Sequence, residues 1–356
     1  MNRSTPTDRA SDPAPAPTFD SIPVTLLTGF LGSGKTTLLR RALADPAFSD
    51  TAVIINEIGE IAIDHYLVDF VEGSVLELPG GCLCCAVRED LAQTLRSLIE
   101  RRDAGDLKRF RRIVVETSGL ADPAPILFTL GTDPLLDQRL RLARVVTLVD
   151  AVSGLSNLDR FAEATRQAAV ADVLVISKTD LAAFGDDLAA RLTTLNPNAE
   201  RISGTDASDP AAVLFMPPRH ARPATLPVAD EAVSTAAPHA EHSHGIAAFS
   251  IVLHNAISRL DFALALGRLA QDRGNDLLRV KGLVRFADRP DRPAVVQAAQ
   301  HAMFSPEWLD AWPDDDQRSR LVFIVHDIPT EEILDRFAFA DPHLVGSVTP
   351  HAHASQ

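Results

Sequence analysis

IPVTLLTGFLGSGKTTLLRRAL, Ile22 to Leu43, reads as an apolar strand that runs into a glycine-rich loop and then a helix. Within it Gly29, Gly34, Lys35 and Thr36 match the spacing G-x-x-x-x-G-K-[ST], and Gly32, Ser33 and Thr37 belong to the same loop. The order strand, loop, helix gives the letters their meaning. Glycines let successive backbone N–H groups curl around a phosphate, and the helix start adds partial positive charge. Lys35 can then reach the β/γ oxygens of a nucleotide, and the Thr36 hydroxyl can ligate Mg²⁺.

Outward from this loop, short apolar runs alternate with helix-length segments: TAVIIN (51–56), SVLEL (74–78), RIVVE (112–116), RVVTLVD (144–150) and DVLVIS (172–177). Runs that are apolar at nearly every position predict strands buried on both faces, hence a parallel sheet flanked by helices. The fold class expected is α/β, a P-loop NTPase sheet over 21–216. Residues 217–244 read as a Pro/Ala/Thr/His linker and 1–20 as a disordered leader rich in Pro, Ala, Ser and Asp. Beyond the linker, 247–253, 276–287, 293–299 and 320–325 read as strands, with helices at 257–272 and 330–339. Four strands and two helices predict a smaller α+β C-terminal domain over 245–340, followed by a tail at 341–356.

The chain has 356 residues, 46% hydrophobic and 23% charged, enough to bury an ordinary core in two domains. No apolar run is long enough for a membrane helix, and the leader lacks a signal-peptide core. A net charge of −14 argues against a general affinity for nucleic-acid phosphates. The protein is therefore expected to be soluble and cytoplasmic, with no nucleic-acid or membrane partner.

Two further segments extend the nucleotide reading. Glu116 closes RIVVE and opens ETSG, so it is placed at a strand end to hold the Mg²⁺ shell, while the Gly119 backbone can approach a γ-phosphate. Ser177-Lys178-Thr179-Asp180 follows an apolar strand. The Asp180 carboxylate can accept from the ring N–H and amino group of guanine, a donor pair adenine lacks, and the Lys178 stem can pack over the ring. GTPases commonly carry Asn where this chain has Ser177.

All three cysteines fall inside GGCLCC, Gly80 to Cys85. Three readings are open: a metal site, a redox pair, or packing by small hydrophobes. Thiolates from Cys82, Cys84 and Cys85 suit Zn²⁺ or a similar ion near a helix start that lowers thiol pKa, and the site would not be closed by a fourth ligand of the loop. A redox role leaves the nucleotide unused, and three thiols after two glycines are not a normal core segment. His239, His242 and His244 cluster in the linker, with His351 and His353 in the tail, where imidazoles can gather divalent ions or be merely solvated.

Together GFLGSGKTT, NEIGEIAID, GGCLCC, ETSGLADP, LVDAV and SKTD, with LLRVKG in the second domain, resemble the CobW-type P-loop GTPases, a family of metallochaperones related to HypB and UreG. The resemblance runs from Ile22 to about Phe339. It implies that the cysteine loop carries Zn²⁺, or an ion such as Co²⁺, and that GTP with Mg²⁺ controls its transfer to a client metalloprotein facing the C-terminal domain. It also implies that Asn56, Glu57, Gly59 and Glu60 form a switch segment, with Glu60 a further metal ligand. Ile55 stands where some relatives have an acidic residue. A homodimer is compatible with this reading. Leu120 follows ETSG where a water-positioning Gln would be expected, so slow intrinsic turnover is predicted. The competing readings are a nucleotide-binding metal buffer or sensor with negligible turnover, and an ATP-dependent metal insertase for cobalamin-type cofactor synthesis.

Overall fold

The structure, a computed structural model, describes residues 21–48, 50–56, 75–77, 84–203, 210–215 and 245–348. The first unit contains β1 (Ile22–Gly29), α1 (Lys35–Leu43), β2 (Thr51–Asn56), β3 (Val75–Glu77), α2 (Cys84–Ala104), β4 (Arg112–Thr117), α3 (Ala124–Thr132) and α4 (Pro134–Arg139). It continues with β5 (Leu140–Asp150), α5 (Gly154–Arg160), α6 (Ala162–Ala169), β6 (Val173–Ser177), α7 (Asp186–Leu195), β7 (Glu200–Ser203) and α8 (Pro210–Phe215). The strands form one sheet in the order β3-β2-β4-β1-β5-β6-β7, and every pairing in it is parallel.

Strand alternation divides the apolar runs between two cores. Val24 and Leu26 of β1, Ile113 and Val115 of β4, and Leu174 and Ile176 of β6 enter one cluster with α2, α3 and α7. Their neighbours Leu27, Val114, Val173 and Val175 enter a second cluster with Leu38 and Leu39 of α1 and Val213 and Leu214 of α8. Because successive side chains point to opposite faces, burial on both faces requires an unbroken apolar run. Parallel strands also place every strand's C-terminal end on one edge, where the loops of the site emerge.

The second unit contains β8 (Ile246–Leu253), α9 (Arg259–Arg273), β9 (Leu277–Val284), β10 (Ala294–Ala299), β11 (Ala302–Met303), β12 (Glu307–Trp308), β13 (Ser319–His326), α10 (Thr330–Arg336) and β14 (Pro342–Val348). Its sheet has the order β11-β10-β9-β13-β8-β14, with β12 beside β10, and its pairings are antiparallel. On one face Leu266 of α9 and Ile333 of α10 pack over Phe249, Ile251, Val280 and Phe323 of the sheet. The other face turns Ala248, Leu278 and Ile324 into the core of the first unit. The chain is thus the expected P-loop NTPase-type α/β sheet joined to a smaller α+β unit.

Five elements depart from the sequence reading, among them the two-residue strands β11 and β12, which lie outside the four strands expected. β14 begins inside the segment read as a tail and pairs with β8. Its apolar pattern is broken by Gly346 and its first residue is Pro342, a position proline tolerates on an edge strand. β7 adds a short strand, ERIS, beyond β6. Helix α2 starts at Cys84, so the last two cysteines belong to its first turn and not to the preceding loop.

A buried ion cluster joins the units. Asp172, directly before β6, accepts from Lys281 Nζ (2.8 Å), Arg279 Nη2 (3.2 Å) and Val145 N (2.9 Å). Arg279 Nη2 also donates to Gln297 Oε1 (2.8 Å). The side chains of Asp172 and Arg279 are 7% and 5% exposed. Burial pushes the Asp172 carboxyl up, but the Lys281 and Arg279 charges and the bonds from Lys281 and Val145 outweigh it and hold the group far below the usual carboxylate range.

Candidate nucleotide site and metal loop

The loop after β1 bends through three glycines with positive φ: Gly29 (142°), Gly32 (70°) and Gly34 (96°). A side chain at Gly29 would put a Cβ 2.5 Å from Leu148 O and 2.8 Å from Ser33 Oγ, so the turn needs glycine for space as well as for φ. Helix α1 then starts at Lys35 with no side-chain cap, and its first N–H groups have no partner inside the helix. The buried Lys35 extends its ammonium back over the loop, donating to Gly29 O (2.8 Å) and Phe30 O (3.4 Å). A glycine-rich turn, a helix start and one ammonium meet at this loop, which is an arrangement for polyanionic oxygens.

Beside it, Thr36 Oγ1 donates to Glu116 Oε1 at 2.7 Å. Glu116 is buried on β4, whose register sets it against Leu27 of β1 and Ile55 of β2, and the next residue bonds across to β1 through Thr117 Oγ1 and Thr28 Oγ1 (2.8 Å). A hydroxyl and a carboxylate brought together beside a phosphate cradle are hard oxygen donors of the kind Mg²⁺ takes, so the residues present fit that ion. Gly119 lies against the phosphate loop: a Cβ there would fall 2.7 Å from Leu31 N and 2.8 Å from Leu31 Cα. The segment after β4 and the loop after β1 are therefore in backbone contact.

At the end of β6, Ser177 Oγ donates to Ser33 O at 2.6 Å, tying this strand to the phosphate loop. Lys178 adopts a left-handed φ of 57°, and its ammonium lies 3.5 Å from Asp150 Oδ2. Asp150 is buried at the end of β5 and also accepts from Ser153 N (2.6 Å). Asp180 is exposed, and Thr37 is exposed on α1. The sequence reading identified Ser177 only as a departure from Asn and did not single out Asp150. The signal for Asp150 was its place as the first charge after a long apolar run.

Of the expected metal ligands, Cys84 and Cys85 are the first two residues of α2. Cys82 and Glu60 lie outside the described residues, as do Glu57, Gly59, His239, His242, His244, His351 and His353, while Asn56 ends β2. Helix α2 follows β3, the outermost strand, which is three positions from β1 in the sheet order, roughly 14 Å at the usual strand spacing. Elsewhere, His326 Nδ1 lies 3.1 Å from Asp276 Oδ1, and His254 meets His343 edge to face with ring centroids 4.6 Å apart.

A parallel sheet with a glycine-rich phosphate loop at the C-terminal end of its first strand, backed by a strand-end acid, defines a P-loop nucleotide-binding protein. Residues 23–203 match the CobW/HypB/UreG nucleotide-binding domain, and residues 246–340 match the cobalamin synthesis protein cobW C-terminal domain. The chain belongs to the CobW/HypB/UreG family. It is 33% identical over 324 residues to zinc chaperone YjiA of Escherichia coli, covering 90% of this chain and 99% of that one. It is 29% identical over 357 residues to zinc chaperone CobW of a Sinorhizobium species, covering 86% and 94%. Among solved structures, the Zn(II)-bound YjiA GTPase from E. coli superposes with a TM-score of 0.65 at 30% identity, over 90% of this chain and 99% of that one.

Proposed function

We propose that this protein is a GTP-hydrolysing zinc chaperone, in which nucleotide state governs a thiolate metal site and delivery to a client metalloprotein. The observation that carries it is the convergence at one sheet edge of the Lys35 cradle, the Thr36–Glu116 pair and Gly119 against Leu31. Relatives named as zinc chaperones and as a GTPase support the cargo and the reaction.

In this reading Gly29, Gly32, Ser33, Gly34 and Thr37 hold the phosphates through the loop and the first turn of α1. Lys35 neutralises the β/γ oxygens, and Thr36 and Glu116 would hold Mg²⁺, which when bound offsets the charge that develops on the transferring phosphoryl group. Gly119 presents its backbone to the γ-phosphate. Lys178 covers the base and Asp180 accepts from guanine. Leu120 is half exposed after Gly119 and supplies no group to orient a water, so intrinsic hydrolysis is slow. Cys82, Cys84 and Cys85, with Glu60, take the transferable ion, written here as cargo. The C-terminal unit faces the client.

The test is metal analysis of protein loaded with GTP or with GDP in the presence of Zn²⁺, with Cys84→Ser as control. The expected result is a difference in bound zinc between the two nucleotides that disappears in the variant. Equal zinc in all samples would refute the cargo assignment.

A further inference from the structure

Helix α6 contributes the fully buried Gln167 to the edge that carries Gly119. Its Nε2 donates to Ala121 O (2.9 Å) and Gly119 O (3.2 Å), so one amide group binds two carbonyls of the segment that packs on Leu31. The backbone carbonyl of Gln167 accepts from Thr147 Oγ1 of β5 (2.8 Å). One residue earlier, Arg166 Nη1 bonds Asp122 Oδ2 at 2.9 Å. Two adjacent residues of α6 thus grip the stretch from Gly119 to Asp122 from behind. Gln167 also shares a small cavity with Ser33 beneath the phosphate loop, where Gln167 Oε1 and Ser33 Oγ are buried without a hydrogen-bond partner among the described residues.

The helix is itself held at its end. The buried Asn196 directs Nδ2 to the carbonyls of Ala168, Ala169 and Ala171 at 3.1, 2.9 and 2.8 Å, capping the last turn of α6. The next residue is Asp172, bound to Lys281 and Arg279 of the second unit. Backbone at a γ-phosphate must be placed to within a fraction of an ångström to be useful. A side chain that binds two carbonyls of that backbone from a helix fixed in this way sets its position.

We infer that Gln167 is the positioning residue for the γ-phosphate segment, with Arg166 as its auxiliary; the inference rests on the nucleotide assignment above. Gln167 does not touch the nucleotide. It fixes the backbone at Gly119 through that residue's carbonyl, so its effect falls on the triphosphate and spares the diphosphate, which lacks the group this segment faces.

The experiment compares full-length wild type, Gln167→Met and Arg166→Ala by titration calorimetry with Mg²⁺ and either GDP or a non-hydrolysable GTP analogue, together with kcat for GTP. Gln167→Met keeps the side chain's length and removes its donors. It is expected to weaken the GTP analogue tenfold or more and to lower kcat similarly, with GDP affinity within twofold of wild type. Arg166→Ala, a partly exposed site that does not threaten folding, should shift the same ratio in the same direction by a few-fold. Equal losses for GDP and the GTP analogue, or no change in the ratio in either variant, would overturn the assignment to Gln167 while leaving the nucleotide reading intact. A wild-type chain that binds no guanine nucleotide would overturn both.

Discussion

Replacing Asp172 with Asn should cost about 3–5 kcal/mol of stability at neutral pH, the range found when one partner of a buried ion pair is removed. The size follows from what the substitution leaves behind. Asn can still accept from Val145 N, but Arg279, 5% exposed, and Lys281, 21% exposed, lose the carboxylate that offsets their burial. Urea unfolding of the full chain followed by circular dichroism measures the loss. A double variant with Lys281→Met should recover part of it, because the orphaned ammonium is gone. The pH dependence has a definite sign. The folded-state pKa of Asp172 lies below its unfolded value. Its contribution is therefore complete above the unfolded pKa of about 3.9 and is lost as pH falls below it toward the folded value. Wild type should lose its advantage over Asp172→Asn as pH falls from about 4. A loss below about 1 kcal/mol at neutral pH, the scale of a solvent-screened surface pair, would refute the view that this cluster holds the two units together.

Gly119→Ala should push the phosphate loop away from its position, because the added Cβ meets the Leu31 backbone at 2.7 and 2.8 Å and neither side can yield as a flexible side chain would. A fall of at least tenfold in affinity for a GTP analogue, read by calorimetry, is expected, and unchanged affinity would show that the contact opens at no cost. Ser177→Ala removes the 2.6 Å bond to Ser33 O, worth about 1 kcal/mol. GTP and GDP should weaken together by roughly fivefold in a fluorescent-nucleotide titration, and a change confined to one nucleotide would contradict a role in holding the loop.

Much of the nucleotide edge is legible in the sequence for a physical reason. Strands buried on both faces must be apolar at almost every position, so β1, β2, β4, β5 and β6 stand out, and the loops at their ends inherit their location from the parallel sheet. The elements that escape notice lack that constraint. β14 is an edge strand with a Pro and a Gly, and β7 is only four residues long. The start of α2 is displaced because the first turn of a helix carries little periodic signal. Gln167 is hidden more thoroughly: AEATRQAA gives no hint that its glutamine crosses to carbonyls 46 and 48 residues away. Asp172 likewise meets its partners only after the second sheet docks, 107 and 109 residues downstream. Ser177, by contrast, was visible as a departure from Asn, and its hydroxyl makes a tie to the loop that no spacing rule describes.

Among the described residues, the cysteine-bearing helix follows β3, a strand at the edge of the sheet. Among the described residues β3 has three register pairs, Val53 with Val75, Ile54 with Leu76 and Ile55 with Glu77, all to β2. At about 1 kcal/mol net for each hydrogen bond, the backbone pairing of these three residues is worth a few kcal/mol. That is the scale of the coupling free energy that one ligand exerts on another at a distant site. Among the described residues β3 pairs with none of the interior strands β4, β1 and β5. In the cycle proposed above, the edge that carries Cys84 and Cys85 is the part of the sheet that an exchange of nucleotide would remodel.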